Sequence, residues 1–110
     1  MTTTQDTPAT SETFELYRPA ADLFADDGRF VWLVDLPGIG SDEVELEIVD
    51  GKLVLEATSS EFGLKYERKL LLPDEADPTQ VDATLEGGQL RIEVQKREEL
   101  KPRKIQITTH

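Results

Sequence analysis

Side chains able to make or break bonds are scarce in this chain of 110 residues. It has no cysteine, which removes thiolate catalysis and any disulfide framework. Its single histidine, His110, has no histidine, cysteine or aspartate beside it at ligand spacing. A Ser–His–Asp relay therefore lacks its base, and a zinc site lacks its ligands. No phosphate-cradling glycine loop, nucleophile elbow or dinucleotide fingerprint is present. Carboxylates are plentiful, but Glu45 and Glu47 alternate with Val44, Leu46 and Ile48, which puts them on the solvent face of a strand. Asp26-Asp27 ahead of Gly28 reads as turn chemistry. These residues imply no enzyme, no cofactor and no metal.

What remains is the chemistry of docking. Ile105-Gln106-Ile107 sits on a Pro- and Lys-containing tail. Its two isoleucines fall on one side of an extended chain, and the tail has no core in which to bury them. They are placed like a plug that needs a groove, although a last edge strand would give the same pattern. Charge adds to this. The net charge is -11, which argues against nucleic acid. It is unevenly spread: residues 20–95 carry 18 acids and 6 bases, whereas residues 96–110 carry five bases (Lys96, Arg97, Lys101, Arg103 and Lys104) and two acids. A basic tail on an acidic body can dock on that body or on a neighbour's.

The elements that must position such a groove are strands. From Ala20 onward the period is two. Ala21–Phe24 is a short candidate strand. Arg29–Leu36 is nearly continuous apolar and reads as a strand covered on both faces, stopped by Pro37-Gly38. Val44–Ile48 alternates, Asp50-Gly51 marks a tight hairpin, and Lys52–Thr58 follows. Leu64–Leu72 ends at Pro73, Asp74–Thr79 reads as a loop, and Val81, Ala83 and Leu85 alternate next. Gly87-Gly88 turns the chain into Leu90, Ile92 and Val94. Seven short strands without a long helix imply an all-β, immunoglobulin-like antiparallel β-sandwich over residues 20–96. Residues 1–19 read as a short, mostly disordered arm with an apolar cluster of Phe14, Leu16 and Tyr17, and residues 97–110 as a flexible tail. No apolar run reaches a membrane span, and the N-terminus has no signal-peptide pattern, so a cytoplasmic protein is expected.

The ordered set of motifs resembles the α-crystallin domain of small heat shock proteins. Asp35-Leu36-Pro37-Gly38-Ile39 is similar to the turn after that family's third strand. Val44–Ile48, Asp50-Gly51 and Lys52–Leu55 resemble its central hairpin. Tyr66-Glu67-Arg68-Lys69-Leu70-Leu71-Leu72-Pro73 is similar to its aromatic-x-Arg signature ending in Leu-Pro. Ala83 to Leu90 matches its A-x-x-x-x-G-x-L motif, and Ile105-Gln106-Ile107 its I-x-I anchor. The resemblance covers residues 18–107. It implies that Ile105 and Ile107 anchor in a groove formed by Val44, Leu46, Ile48, Val81, Ala83 and Leu85. On the residues alone, the small Ala83 either faces a crowded core or leaves room in a surface groove.

Two features depart from the family pattern. Only Ser59-Ser60-Glu61-Phe62-Gly63 separates Thr58 from Leu64, too little for the long loop whose extra strand is exchanged between subunits. Any dimer must form otherwise, for example edge to edge through Leu64–Leu72 with Arg68 at the contact, and a monomer is the alternative. The arm is also short and polar, leaving Phe14, Leu16 and Tyr17 as its client contacts. The resemblance implies an ATP-independent holdase of the stress response that binds unfolding client proteins and itself, as a dimer or low oligomer. Two rivals stand beside it: a CS-domain-like co-chaperone or adaptor, which would lack the Ile-x-Ile anchor, and a specialised structural coat or vesicle-associated relative. From Val94 to Ile105 the chain can span at most about 36 Å, so the plug reaches its own groove or a neighbour's.

Overall fold

Alternation of apolar and polar residues decides which face each strand buries. The structure, a computed structural model, describes residues 15–109. Its strands are β1 (Glu15–Tyr17), β2 (Ala21–Ala25), β3 (Arg29–Asp35), β4 (Val44–Val49), β5 (Lys52–Ser59), β6 (Leu64–Leu71), β7 (Ala76–Glu86) and β8 (Gln89–Lys96). They form two four-stranded sheets, ordered β1-β6-β5-β4 and β2-β3-β8-β7. The neighbours pair antiparallel, except β1, which runs parallel to β6. Short 3-10 turns at Ser41–Glu43 and Glu98–Leu100 are the helical elements among the described residues. This is the all-β sandwich that the alternation predicts.

The core lies between the sheets. Phe30, Trp32 and Val34 point inward from β3, Leu53, Leu55 and Ala57 from β5, and Leu90, Ile92 and Val94 from β8. Trp32 is only 3% exposed, as expected of the one indole in the most apolar strand. Leu36 continues the chain past β3 and closes one end of the core, its N–H donating to the Gly88 carbonyl at 2.7 Å. At the β4–β5 hairpin Asp50 and Gly51 have φ of 51° and 75°, as a two-residue turn matched to strand twist requires.

Three expectations change. Eight strands are present among the described residues where seven were expected. The extra one, β1, lies within the arm, and three residues are too few to carry a readable period. Strand β7 begins at Ala76, inside the segment read as a loop, with a register irregularity between Ala76 and Val81. Pro78 is tolerated because β7 is an edge strand whose proline needs no ladder partner. Finally, β3 is covered on one face only: Val31 and Leu33 on its outer face are half-buried, with no layer above them.

Candidate functional site

A two-sheet sandwich has two seams where edge strands of the opposing sheets face each other. On one side β4 faces β7. Val44 and Leu46 from β4 meet Ala83 and Leu85 from β7 around a cavity of about 210 Å³, with Ser41 and Leu90 completing the lining. Alternation on both strands turns their apolar residues toward this seam, while Glu45 and Glu47 point to solvent. Ala83 is exposed, so of the two readings of its size, the surface groove is the one realised. A larger residue there would fill the cavity.

Of the six expected groove residues, the structure brings these four together. Ile48, 37% exposed, belongs to a second depression of about 190 Å³ with Leu72, Pro73, Ala76 and Pro78, farther along the same edge. Val81 packs partly buried against the core. Leu90 joins those four, although the alternation of the two edge strands does not point to it. It is 3% exposed, and its side chain joins the core to the groove floor. The only sequence signal for it was its place in the motif that begins at Ala83.

An acidic row runs from the groove's β4 edge across the outer face of its sheet. Glu45 stands opposite Glu56, and Glu56 opposite Glu67, so three carboxylates share one face across β4, β5 and β6. Asp42 and Glu43 lie with Glu45 and Glu56 around an adjoining depression. Like charges placed opposite each other are mutually unfavourable, and this row would gain from a cationic neighbour.

The tail does not occupy the groove of its own chain. Ile105 and Ile107 are 85% and 87% exposed. The root of the tail, by contrast, is fixed. The backbone N–H of Arg97 donates to the Glu75 carbonyl at 2.8 Å, and its Nε donates to the Asp74 carbonyl at 2.7 Å. Lys101 Nζ donates to Gln95 Oε1 at 3.2 Å.

The opposite seam, between β6 and the start of β2, is stitched shut. The hydroxyl of Tyr66 donates to the Pro37 carbonyl at 3.1 Å, and the Tyr17 ring lies 5.8 Å from that of Tyr66. Arg68 alternates with Tyr66 and Leu70 and so faces the gap between the sheets. Its Nη1 donates to the Pro19 carbonyl at 2.7 Å, and its Nε is buried without a partner. The guanidinium is thus half-buried and turned inward, not a solvent-facing strand residue. Leu16 and Tyr17, expected as client contacts, lie on β1 and are exposed. Phe14 lies outside the described residues.

Elsewhere the titratable groups serve the scaffold. Glu93 accepts from Arg91 at 3.0 Å and from Arg29 at 3.1 Å, and these hydrogen bonds and charges, Arg91's first, hold its carboxyl below the usual range. Asp26 is lowered by the Gly28 N–H of its own turn, and Asp77 by Thr79. None of these three lines the groove. The described residues contain no helix long and apolar enough to cross a membrane.

Comparison with known proteins places this geometry. The model of the Hsp20/alpha crystallin family matches residues 22–108. The 18 kDa antigen 2 of Mycobacterium avium is 30% identical, with 82% of this chain and 76% of that protein covered. The 17.6 kDa class II heat shock protein of Arabidopsis thaliana is 31% identical, with 79% and 68% covered. Among solved structures, a small heat-shock protein of Xylella fastidiosa superposes with a TM-score of 0.67 at 27% identity, covering 84% of this chain and 98% of that one. The hspA protein of Xanthomonas axonopodis gives 0.63 at 28% identity, covering 74% and 95%.

Proposed function

The chain belongs to the Hsp20/alpha crystallin family of small heat shock proteins, and from that premise we propose that it is an ATP-independent holdase whose tail docks on the groove of a neighbouring copy. The observation that carries this reading is the pairing, in one chain, of an open apolar groove with an exposed apolar plug. The groove around Ala83 stands empty of the chain's own side chains, and Ile105 and Ile107 have nothing to bury them.

A neighbour's groove is favoured because the tail is turned away from its own: Ile105 and Ile107 are exposed although the groove lies within reach. From Lys101 to Ile107 is six residue steps, at most about 22 Å, and from Gln95 back to Leu90 is about 17 Å along β8. The charges suit such docking: Arg103 and Lys104 directly precede the plug, and Asp42, Glu43 and Glu45 flank the Ser41, Val44 and Leu46 that line the groove.

Magnitudes make the docking reversible. Burying two isoleucine side chains is worth about 3–6 kcal/mol. Ordering the free residues of the tail costs about 1–2 kcal/mol each, which consumes most of that gain. A weak, salt-screened contact of this kind can open under heat. Holding itself needs no catalysis. A client's exposed apolar segment gains burial at about 25 cal/mol per Å², and binding unfolded states withdraws them from self-association. The net negative charge keeps such complexes soluble.

Several unrelated proteins heated with and without the chain provide the test, with light scattering as the readout. A holdase protects many of them. Protection of none would leave the adaptor reading, and protection confined to one assembly would leave the structural one. Size-exclusion chromatography with light scattering gives the assembly, for which a dimer or low oligomer is expected.

A further inference from the structure

Strand β1 is the most lightly held element of the sandwich. It is three residues long, exposed throughout, and pairs on one side only. Its ties to the body are few. The Glu15 N–H donates to the Gly63 carbonyl at 2.9 Å, and the Tyr17 ring rests 5.8 Å from Tyr66. The parallel register sets Tyr17 beside Tyr66, and two residues farther on, Arg68 reaches the Pro19 carbonyl at 2.7 Å. Arg68 thus continues by a side chain the pairing that the backbone has given up. Past Tyr66, β6 runs on through Glu67–Leu71 with no strand of the described residues on its outer side, and Leu71 is 72% exposed.

We propose that β1 is a detachable latch, and that its release frees the outer edge of β6 to take an extended apolar segment of an unfolding client by strand addition. This rests on the holdase reading above and adds where the client binds and what opens the site. The occupant's chemistry is indicated by β1 itself: an extended segment that sets an aromatic ring against Tyr66. An uncovered strand edge pairs with extended backbone of almost any sequence, which suits a binder of many clients. A client segment longer than β1 can pair along all of Leu64–Leu71 and so outcompetes three residues once they have let go. Short elements with few buried contacts open first on warming. The same motion frees Leu16 and Tyr17, so the arm's client contacts and the β6 edge become available together. Lys65, Glu67 and Lys69 alternate in sign along the outer face of β6, a pattern that tolerates a client of either charge and discourages permanent edge-to-edge aggregation.

The chain has no cysteine, so a disulfide can be placed without competition. Leu16 and Lys65 are register partners; Leu16→Cys with Lys65→Cys locks β1 on oxidation and frees it on reduction. The probe is reduced, carboxymethylated lactalbumin, a permanently unfolded polypeptide, followed by fluorescence anisotropy at low and raised temperature. The reduced double variant should bind like the wild type, and the oxidised one about tenfold more weakly or worse, since a lock removes the competent fraction. Glu15→Pro, which removes the N–H that donates to the Gly63 carbonyl, should bind at low temperature as the wild type binds at high. Equal binding by the oxidised and reduced forms, with the bridge verified by mass spectrometry, overturns the latch and leaves the holdase reading standing. If the bridge does not close, an unchanged affinity in Glu15→Pro overturns it instead. Absence of binding by any form, the wild type included, overturns both. Self-association on reduction without probe binding places a second copy on the β6 edge and overturns the client assignment.

Discussion

The two seams of this sandwich are built from the same parts and finished in opposite ways. Between β4 and β7 a small residue, Ala83, leaves a cavity lined by Val44, Leu46, Leu85 and Leu90, with Ser41 at its edge. Between β6 and β2 a tyrosine and an arginine reach across to the Pro37 and Pro19 carbonyls, and an added strand lies along the outside. The difference teaches what an exposed seam needs. Side chains long enough to find backbone acceptors close it. Short apolar ones leave it open to whatever apolar segment arrives. Chain path adds to the closure: the link from β1 to β2 must cross the closed seam, and Arg68 holds it there.

The sharpest way to break the comparison is to remove the clasp. Arg68→Ala gives up a charged hydrogen bond to a backbone carbonyl and leaves that acceptor unpaired, which should cost about 1–3 kcal/mol in urea unfolding. Hydrogen exchange should rise at β1 before any other strand. A variant as stable as the wild type, with β1 equally protected, would show that the seam is closed without it. Tyr66→Phe tests the second stitch and should cost about 0.5–1.5 kcal/mol, the usual net worth of one hydrogen bond.

On the open side the same experiments should read almost nothing. Ala83→Leu places a larger side chain in a half-open cavity, and Ile105→Ala with Ile107→Ala truncates side chains that touch nothing in the chain. Both should leave unfolding free energies within about 0.5 kcal/mol of wild type. Both should also shrink any assembly that the tail sustains, as measured by light scattering. If the wild type is larger than a dimer and neither change alters its size, the groove is not where the tail goes.

The smallest effect is a control away from both seams. Arg91 and then Arg29 hold the Glu93 carboxyl below its usual range. A group depressed in the folded state contributes stability above its unfolded value and loses it as pH falls through the folded one. Wild type should therefore lose slightly more stability than Glu93→Gln as pH drops from about 5 through the carboxylate range near 4. With Glu93 partly solvated, the difference is modest, and parallel pH profiles would mean that the ion cluster contributes nothing.

Much of this was readable in advance, for reasons that particular residues make plain. Val44, Leu46, Ala83 and Leu85 alternate strictly with polar residues, so their common face followed from the pleat. Trp32 sits in an apolar run that has only the core to enter. Strand β1 was not readable, because Glu15-Leu16-Tyr17 carries no period of its own and becomes a strand only against β6. The start of β7 was hidden by Pro78, which forbids a central strand and is harmless on an edge. Arg68 shares a face with Tyr66 and Leu70 by alternation, but its partner was not readable, since only the sandwich brings the Pro19 carbonyl to it.

What the sequence determined by itself is whatever depends on local period and composition: the strands with a face to bury, the tight Asp50-Gly51 turn, and the acidic body and basic tail. What only the tertiary structure decided depends on two distant segments meeting. That includes which seam stays open, the parallel addition of β1, and the bond from Arg68 to Pro19. A side chain's period fixes the face it prefers. Only packing fixes what stands opposite that face, because the partner lies tens of residues away and is brought there by the whole sandwich.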